Sequence, residues 1–192
     1  MLDRDRIENE ARKAAVVAHT VLGLSHEYSV ILIDDPSVPE DARFDTTKNE
    51  IQINLDRLKP FSVDEAGTGR IDLSEEDKLI DENYRHLLKI CYLVFHEMRH
   101  LYQKEAVLIY TINKKLGGHS LPPLESDKKA ALWLEEMKDE NIPPEEQDIE
   151  ADANDFAYYL TNRYPIQLPM ARTNKRIGAM KRKYDKIPIP DV

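Results

Sequence analysis

The side chains with the clearest potential for chemistry lie between Val94 and Gln103, a stretch that contains the pattern His-Glu-x-x-His. On an α-helix, the four-residue spacing of His96 and His100 leaves the two side chains about 40° apart around the axis, so both imidazoles can bind one metal ion. Glu97 lies beside that face and could take a proton from a water held by the metal. The pattern predicts a zinc-dependent hydrolase, with a peptidase as the preferred interpretation.

A catalytic zinc site needs a third protein ligand and one open position for water. A third histidine six residues after His100 is excluded because residue 106 is alanine. His119 is one candidate, in a Gly- and Pro-rich segment that gives no orienting pattern. The favoured candidate is Glu150, and Asp152 is the alternative on the same predicted helix.

The surroundings of Glu150 distinguish it from the other acids of its segment, which have the pattern of a solvated helix face. Small residues flank it at Ala151, Ala153 and Ala157, and they would let this helix approach the motif helix closely. Asn154, one turn after Glu150, shares its face and could accept a hydrogen bond from the other ring nitrogen of the first histidine.

These segments carry a family resemblance. The pattern His96-Glu97-x-x-His100 followed by Glu150-Ala-Asp-Ala-Asn154-Asp-Phe-Ala157 resembles the gluzincin-type pattern of the ImmA/IrrE family of small metallopeptidases, and small stand-alone gluzincins are an equally fair comparison. Residues 42–54 are similar to the hairpin that precedes the active-site helix in the family. The resemblance covers residues 28–163.

The resemblance implies a zincin-like α+β fold with an N-terminal helix, a small twisted sheet of about three strands, an active-site helix and a second metal-ligand helix. It implies Zn²⁺ as the cofactor, with His96, His100 and Glu150 as ligands, Glu97 as general base and Asn154 as the partner of a ligand. The 49 residues between His100 and Glu150 indicate an inserted helix. No helix-turn-helix segment is visible, so a role in transcriptional control is not implied.

Hydrophobic periodicity, together with turn and cap residues, predicts the elements that position these side chains. Helices are predicted over residues 3–23, 75–104 with a continuation to about 116, 128–139 and 144–163. Strands are predicted over residues 28–33, 42–45 and 50–54, the last two as a hairpin, with residues 61–76 as a surface loop. We expect a metallopeptidase domain over residues 1–163 and a basic C-terminal tail over residues 164–192.

Composition limits the other functional classes. The net charge of −9 makes nucleic acid an unlikely partner, although the tail carries seven basic residues against two acidic ones. No apolar run has membrane-spanning length, and the single cysteine, Cys91, fits a reducing compartment and a core position. We therefore expect a cytoplasmic protein that acts on a peptide or protein substrate.

Two aspects of function stay open at this level. Strand 50–54 could bind an extended peptide if it is a sheet edge near the zinc. The sequence does not identify the hydrogen-bond donor that would assist the metal at the substrate carbonyl, because packing or ion pairing also explains every candidate. The candidates are Tyr84, Arg99, Tyr102, His119 and Tyr158. The alternatives to a peptidase are a hydrolase of a non-peptide amide and a zincin-fold binding or regulatory protein with little or no catalysis.

Overall fold

A computed structural model describes residues 3–26, 28–60, 75–118, 120–139, 141–164 and 175–190 of the chain. The predicted loop over residues 61–76 falls almost entirely outside the described residues, as does the alternative ligand His119. The described part has α+β architecture with five α-helices and one small mixed sheet, which confirms the α+β class and the three predicted strands.

The first helix, α1, spans Arg4–Leu22 as predicted, because both of its ends carry capping residues. The Asp3 side chain accepts a hydrogen bond from the backbone N–H of Asp5, and Gly23 ends the helix in the left-handed conformation at φ 64°. One face of α1 is buried against the rest of the domain, and four of its residues are alanines that permit close approach: Ala11, Ala14, Ala15 and Ala18.

The three predicted strands are present as β1 (Ser29–Ile33), β2 (Ala42–Asp45) and β3 (Glu50–Asn54). The predicted hairpin is confirmed, since β2 and β3 are antiparallel neighbours. β1 pairs in parallel with the other side of β3, so the strand order is β1-β3-β2 and β3 is the central strand. The expectation that residues 50–54 could be an open edge is therefore wrong.

The long helix α2, Glu75–Lys115, extends through the motif and beyond it to the predicted Gly-rich stop. Between Leu88 and Val107 it is buried on most of its circumference, because the sheet, α1 and α4 cover different sides. Cys91 is fully buried there, and burial raises the pKa of its thiol to about 12, as expected of a core residue and not of a nucleophile.

Three further helices follow: α3 (Asp127–Glu136), α4 (Asp148–Thr161) and α5 (Lys175–Tyr184). The predicted inserted helix is thus present as α3, and a short 3₁₀ turn at Pro144–Glu146 precedes α4. The predicted basic tail contains α5, which packs on α4 and buries Met180 and Tyr184.

A buried ion pair connects these helices. The Arg99 guanidinium of α2 is 1% exposed, and its Nε donates to Asp152 Oδ2 of α4 at 2.7 Å. Lys129 of α3 donates to the other carboxylate oxygen at 2.6 Å, and Arg99 Nη1 donates to the Tyr184 hydroxyl of α5 at 2.7 Å. Aromatic rings surround the Arg99 cation, the nearest being that of Tyr102 at 4.4 Å. Four helices therefore meet at one charged cluster.

Within the described ranges, no helix has the length and apolar character needed to cross a membrane.

We expect Asp152→Asn to lower the free energy of unfolding by about 3–5 kcal/mol, because it leaves the Arg99 charge buried without its counter-ion. The matched control is Glu8→Gln, which removes the partner of the exposed Arg12 and should cost less than about 1 kcal/mol. Denaturant unfolding of both variants measures the difference. Equal stabilities would show that the buried pair does not hold the helices together.

The same pair should contribute to acid sensitivity. Burial alone would raise the pKa of Asp152, but Arg99 and Lys129 hold it below its ordinary value. Its contribution is therefore complete above the pKa of the unfolded carboxyl, about 3.9, and is lost as the pH falls through the lower pKa of the folded state. The Asp152→Asn variant should lose less stability over that acid range than the unchanged protein, as denaturant unfolding at a series of acid pH values would measure.

Candidate metal centre

The two histidines of the motif face each other from successive turns of α2. Their Nε2 atoms are 3.0 Å apart, and the ring planes are nearly perpendicular at 82°. Both side chains are largely buried, with 16% and 15% of their surfaces exposed for His96 and His100. The helical spacing therefore brings two imidazole nitrogens to one point, as the sequence predicts.

Glu150 supplies a carboxylate at the same point from the first turn of α4. Its Oε1 lies 3.2 Å from the His100 Nε2, and its Oε2 lies 3.5 Å from the His96 Nε2. The beginning of α4 is fixed by α3, because the Glu136 carboxylate accepts from the backbone N–H groups of Asp148 and Ile149 at 2.9 and 2.8 Å. The inserted helix thus caps the helix that carries Glu150.

The separations of these donor atoms fit a metal ion. Two ligand atoms at about 2.0–2.1 Å from a tetrahedral ion lie about 3.3 Å apart. The two imidazole nitrogens are 3.0 Å apart, and each lies 3.2 or 3.5 Å from a different oxygen of the Glu150 carboxylate. One ligand atom from each of the three residues lies within 4.8 Å of the others. Two histidines and one glutamate are a donor set found in catalytic zinc sites, which keep a fourth position open.

The charges of the site are arranged for a cation. Burial, followed by the neighbouring His100, lowers the pKa of His96 to about 4, so this ring is neutral at pH 7 with a lone pair available. Burial alone would lower the pKa of His100, but the hydrogen bond and charge of Glu150 raise it above its ordinary value. The same hydrogen bond lowers the pKa of Glu150. A bound metal would replace the proton that His100 and Glu150 share.

Glu97, the predicted general base, is largely buried beside this cluster. Burial raises the pKa of its carboxyl, the charge of His100 lowers it and that of Glu150 raises it. No other residue in the described part of the chain forms a hydrogen bond or ion pair with the Glu97 carboxylate. A carboxylate with a raised pKa and no partner among the described side chains can accept a proton from water.

Asn154 lies beside His96, and a hydrogen bond from the ring to its side chain opposes the lowering of the His96 pKa. The Oδ1 atom of Asn154 also accepts from the Tyr92 hydroxyl at 2.7 Å. The Nδ1 atom of His96 is buried and has no hydrogen bond of normal geometry to any residue that the structure describes. Tyr92 therefore competes for the acceptor that the sequence assigned to this ring.

Asp152, the alternative third ligand, faces away from the histidine pair. Both of its oxygens are occupied, by Arg99 and Lys129, so it belongs to the ion-pair cluster and not to the metal site. Two candidate carbonyl donors are occupied as well. Arg99 is paired with Asp152, in agreement with the ion pairing that the sequence offered as its alternative explanation. The Tyr102 hydroxyl donates to the backbone oxygen of Leu124.

Gln103 and Tyr92 are contacts of the site that the sequence interpretation missed. Gln103 Oε1 lies 2.8 Å from the His100 Nδ1, and the Tyr92 ring stacks beside His96 with ring centroids 6.3 Å apart. A signal was present, because residues 92, 96, 100 and 103 recur at the three- and four-residue steps of a single helix face. Polar groups in such a stripe on a buried helix need partners, and Gln103 is the partner of His100 within this stripe.

Comparison of the chain with protein-family models gives no match, and comparisons with curated proteins and with solved structures give no significant relative.

We expect the protein to bind one zinc ion, and His100→Ala and Glu150→Ala each to weaken zinc binding by more than about 100-fold, because each removes a donor atom. Glu146→Ala, at an exposed acid just before α4, is the matched control and should bind zinc like the unchanged protein. Competition with a chromophoric chelator gives the affinities, and elemental analysis gives the stoichiometry. Full zinc occupancy in His100→Ala would refute the ligand assignment.

Proposed function

We propose that the protein is a zinc-dependent metallopeptidase of the gluzincin type, similar in plan to the ImmA/IrrE family. The observation that carries the proposal is the convergence of His96, His100 and Glu150 at the spacing of metal ligands, next to a largely buried glutamate without a protein partner among the described residues. A structural metal site would have four protein ligands, whereas the three ligands found among the described residues leave a position for water. Zn²⁺ is the proposed ion because two histidines of a helical His-Glu-x-x-His pattern and one glutamate are a known ligand set of catalytic zinc.

The chain's own residues perform the proton transfers in this mechanism. When bound, zinc would polarise a substrate carbonyl and lower the pKa of a water molecule. Glu97 accepts the proton of that water and returns it to the amine that leaves. The raised pKa of Glu97 matches it to both steps, because a carboxyl of ordinary pKa would hold the proton too weakly near pH 7.

The proposed peptide site is the outer edge of β2. Because β3 is paired on both sides, the only strands with an open side in the described sheet are β1 and β2. β2 lies along the motif helix: Asp41, just before it, pairs with Lys89 at 3.3 Å, and Lys104 lies over the Phe44 ring at 5.1 Å. Glu40 is close enough to Glu97 to raise its pKa.

The register identifies which backbone groups of β2 face outward. Asn54 N–H donates to the Asp41 carbonyl, so residues 41, 43 and 45 make the ladder with β3. The N–H and C=O groups of Ala42 and Phe44 therefore point away from β3. An extended peptide could pair with these groups by strand addition, and its scissile bond would then lie near Glu97.

We expect Glu97→Gln to keep zinc affinity and to lose hydrolysis by at least about 100-fold, because the amide cannot take up a proton. The assay is mass spectrometry of a peptide library incubated with the zinc-loaded protein, with a chelator-treated sample as the control. Normal turnover by this variant would remove Glu97 from the role of base. Cleavage by none of the preparations would favour a binding or regulatory protein that retains the metal.

We expect Ala42→Pro to raise KM for peptides several-fold and to leave zinc affinity and stability nearly unchanged, because the lost N–H is not part of the ladder. Arg43→Pro is the matched control. The N–H group of Arg43 faces β3, so this substitution removes a ladder hydrogen bond and should destabilise the protein. Peptide KM and thermal unfolding of the two variants provide the measurements. An unchanged KM in Ala42→Pro would exclude the β2 edge as the peptide site.

A further inference from the structure

We propose that Gln103 is the positioning residue of the metal centre, which holds the His100 imidazole with its Nε2 toward the metal, and that Asp152 fixes the orientation of the Gln103 amide. The inference rests on the metal binding proposed above. It assigns a function to a residue outside the His-Glu-x-x-His pattern and connects the buried ion pair to the chemistry of the site.

Gln103 is completely buried, one helical turn after His100 on the same face of α2. Its amide nitrogen has two partners on α4: the carbonyl oxygen of Ile149 at 2.9 Å and Oδ2 of Asp152 at 3.1 Å. Its amide oxygen lies 2.8 Å from the Nδ1 of His100. The amide nitrogen and the amide oxygen therefore each have specific partners.

The partners of the nitrogen determine which way the amide points. A backbone carbonyl and a carboxylate can only accept hydrogen bonds, and Asp152 stays ionised because Arg99 and Lys129 are bound to it. Rotating the amide by 180° would place its oxygen against both acceptors. The amide oxygen would then lack a donor, the Ile149 carbonyl and Asp152 would lose the hydrogen bonds from Gln103, and Asp152 Oδ2 would keep only its hydrogen bond from Arg99. Because a buried oxygen without a donor is costly, one orientation of the amide is strongly favoured.

The fixed amide in turn determines which nitrogen of His100 carries the ring proton. Gln103 Oε1 can only accept, so Nδ1 of His100 must donate to it. The lone pair available to a metal is then on Nε2, the atom that faces Glu150 and His96. Metal-binding histidines depend on such a partner for the orientation of the ring and for the basicity of the binding nitrogen.

The same amide also controls the position of the third ligand. Ile149, whose carbonyl accepts from Gln103, directly precedes Glu150. A single side chain thus contacts the imidazole of one ligand and the backbone beside another. The Nδ1 atom of His96 has no hydrogen bond of comparable geometry to any described residue, so the Gln103 contact is the better-defined constraint on ligand orientation.

Two substitutions separate positioning from simple structural support. Gln103→Met removes the acceptor for His100 and should weaken zinc binding by about 10–100-fold. Gln103→Glu keeps an acceptor oxygen for His100, but it places a second carboxylate against Asp152, so it should be the less stable of the two. The positioning role therefore predicts that the two variants rank oppositely in zinc affinity and in stability. Gln103→Glu should bind zinc more tightly, and Gln103→Met should unfold at the higher denaturant concentration.

The matched control is Gln52→Met, because Gln52 is also a buried glutamine with side-chain hydrogen bonds, here to Arg43 and Asp45 of the sheet. It should lose stability without a change in zinc affinity. A chelator competition assay and denaturant unfolding are carried out on the three variants and the unchanged protein. Zinc affinity in Gln103→Met equal to that of the unchanged protein, or affinities that follow stability across the variants, would overturn the inference.

A measurement on the unchanged protein keeps the inference testable if both Gln103 variants fail to fold. Proton NMR of the zinc-loaded protein should show the Nδ1–H of His100 with a nuclear Overhauser contact to the Gln103 side chain. Zinc bound to Nδ1, or an Nδ1–H without that contact, would overturn the assignment of Gln103 alone. An unchanged protein that binds no zinc would overturn the proposed function together with this inference.

Discussion

The buried pair of Arg99 and Asp152 is the constraint on which the arrangement of the helices depends. A guanidinium and a carboxylate that are each 1% exposed need further hydrogen bonds besides their mutual attraction. Lys129 and Tyr184 supply such hydrogen bonds from two other helices. Burial alone would lower the pKa of Arg99, whereas the Asp152 charge raises it, so the pair stays ionised. The pair therefore specifies one packing of α2 against α4.

That packing determines the metal centre, because Arg99 directly precedes His100 and Asp152 is two residues from Glu150. Once the ion pair fixes the rotation and height of α4 relative to α2, Glu150 is brought to within 3.2–3.5 Å of the two imidazoles. Gln103 joins the two sets of contacts, since its amide contacts both Asp152 and His100. The charged cluster thus supports the site without contributing a ligand to it.

Local patterns predict most of the elements and the residues that converge, because helical periodicity, caps and turn residues act over a few positions. The spacing of His96 and His100 and the alanines around Glu150 belong to this class. The order of the strands and the partner of Asp152 depend on contacts between residues that are far apart in the chain. Such contacts leave no local pattern in a single sequence. For that reason the sequence leaves β3 as a candidate edge and Asp152 as a candidate ligand, and it identifies neither the Tyr92 contact of Asn154 nor the role of Gln103.

The most direct test of the account is a crystal structure of the zinc-soaked protein with anomalous diffraction at the zinc edge. The account predicts one strong peak at about 2.0–2.2 Å from Nε2 of His96, Nε2 of His100 and a carboxylate oxygen of Glu150. A peak at another group of residues, or a zinc ion bound by the two imidazoles with the Glu150 carboxylate turned into solvent, would contradict it.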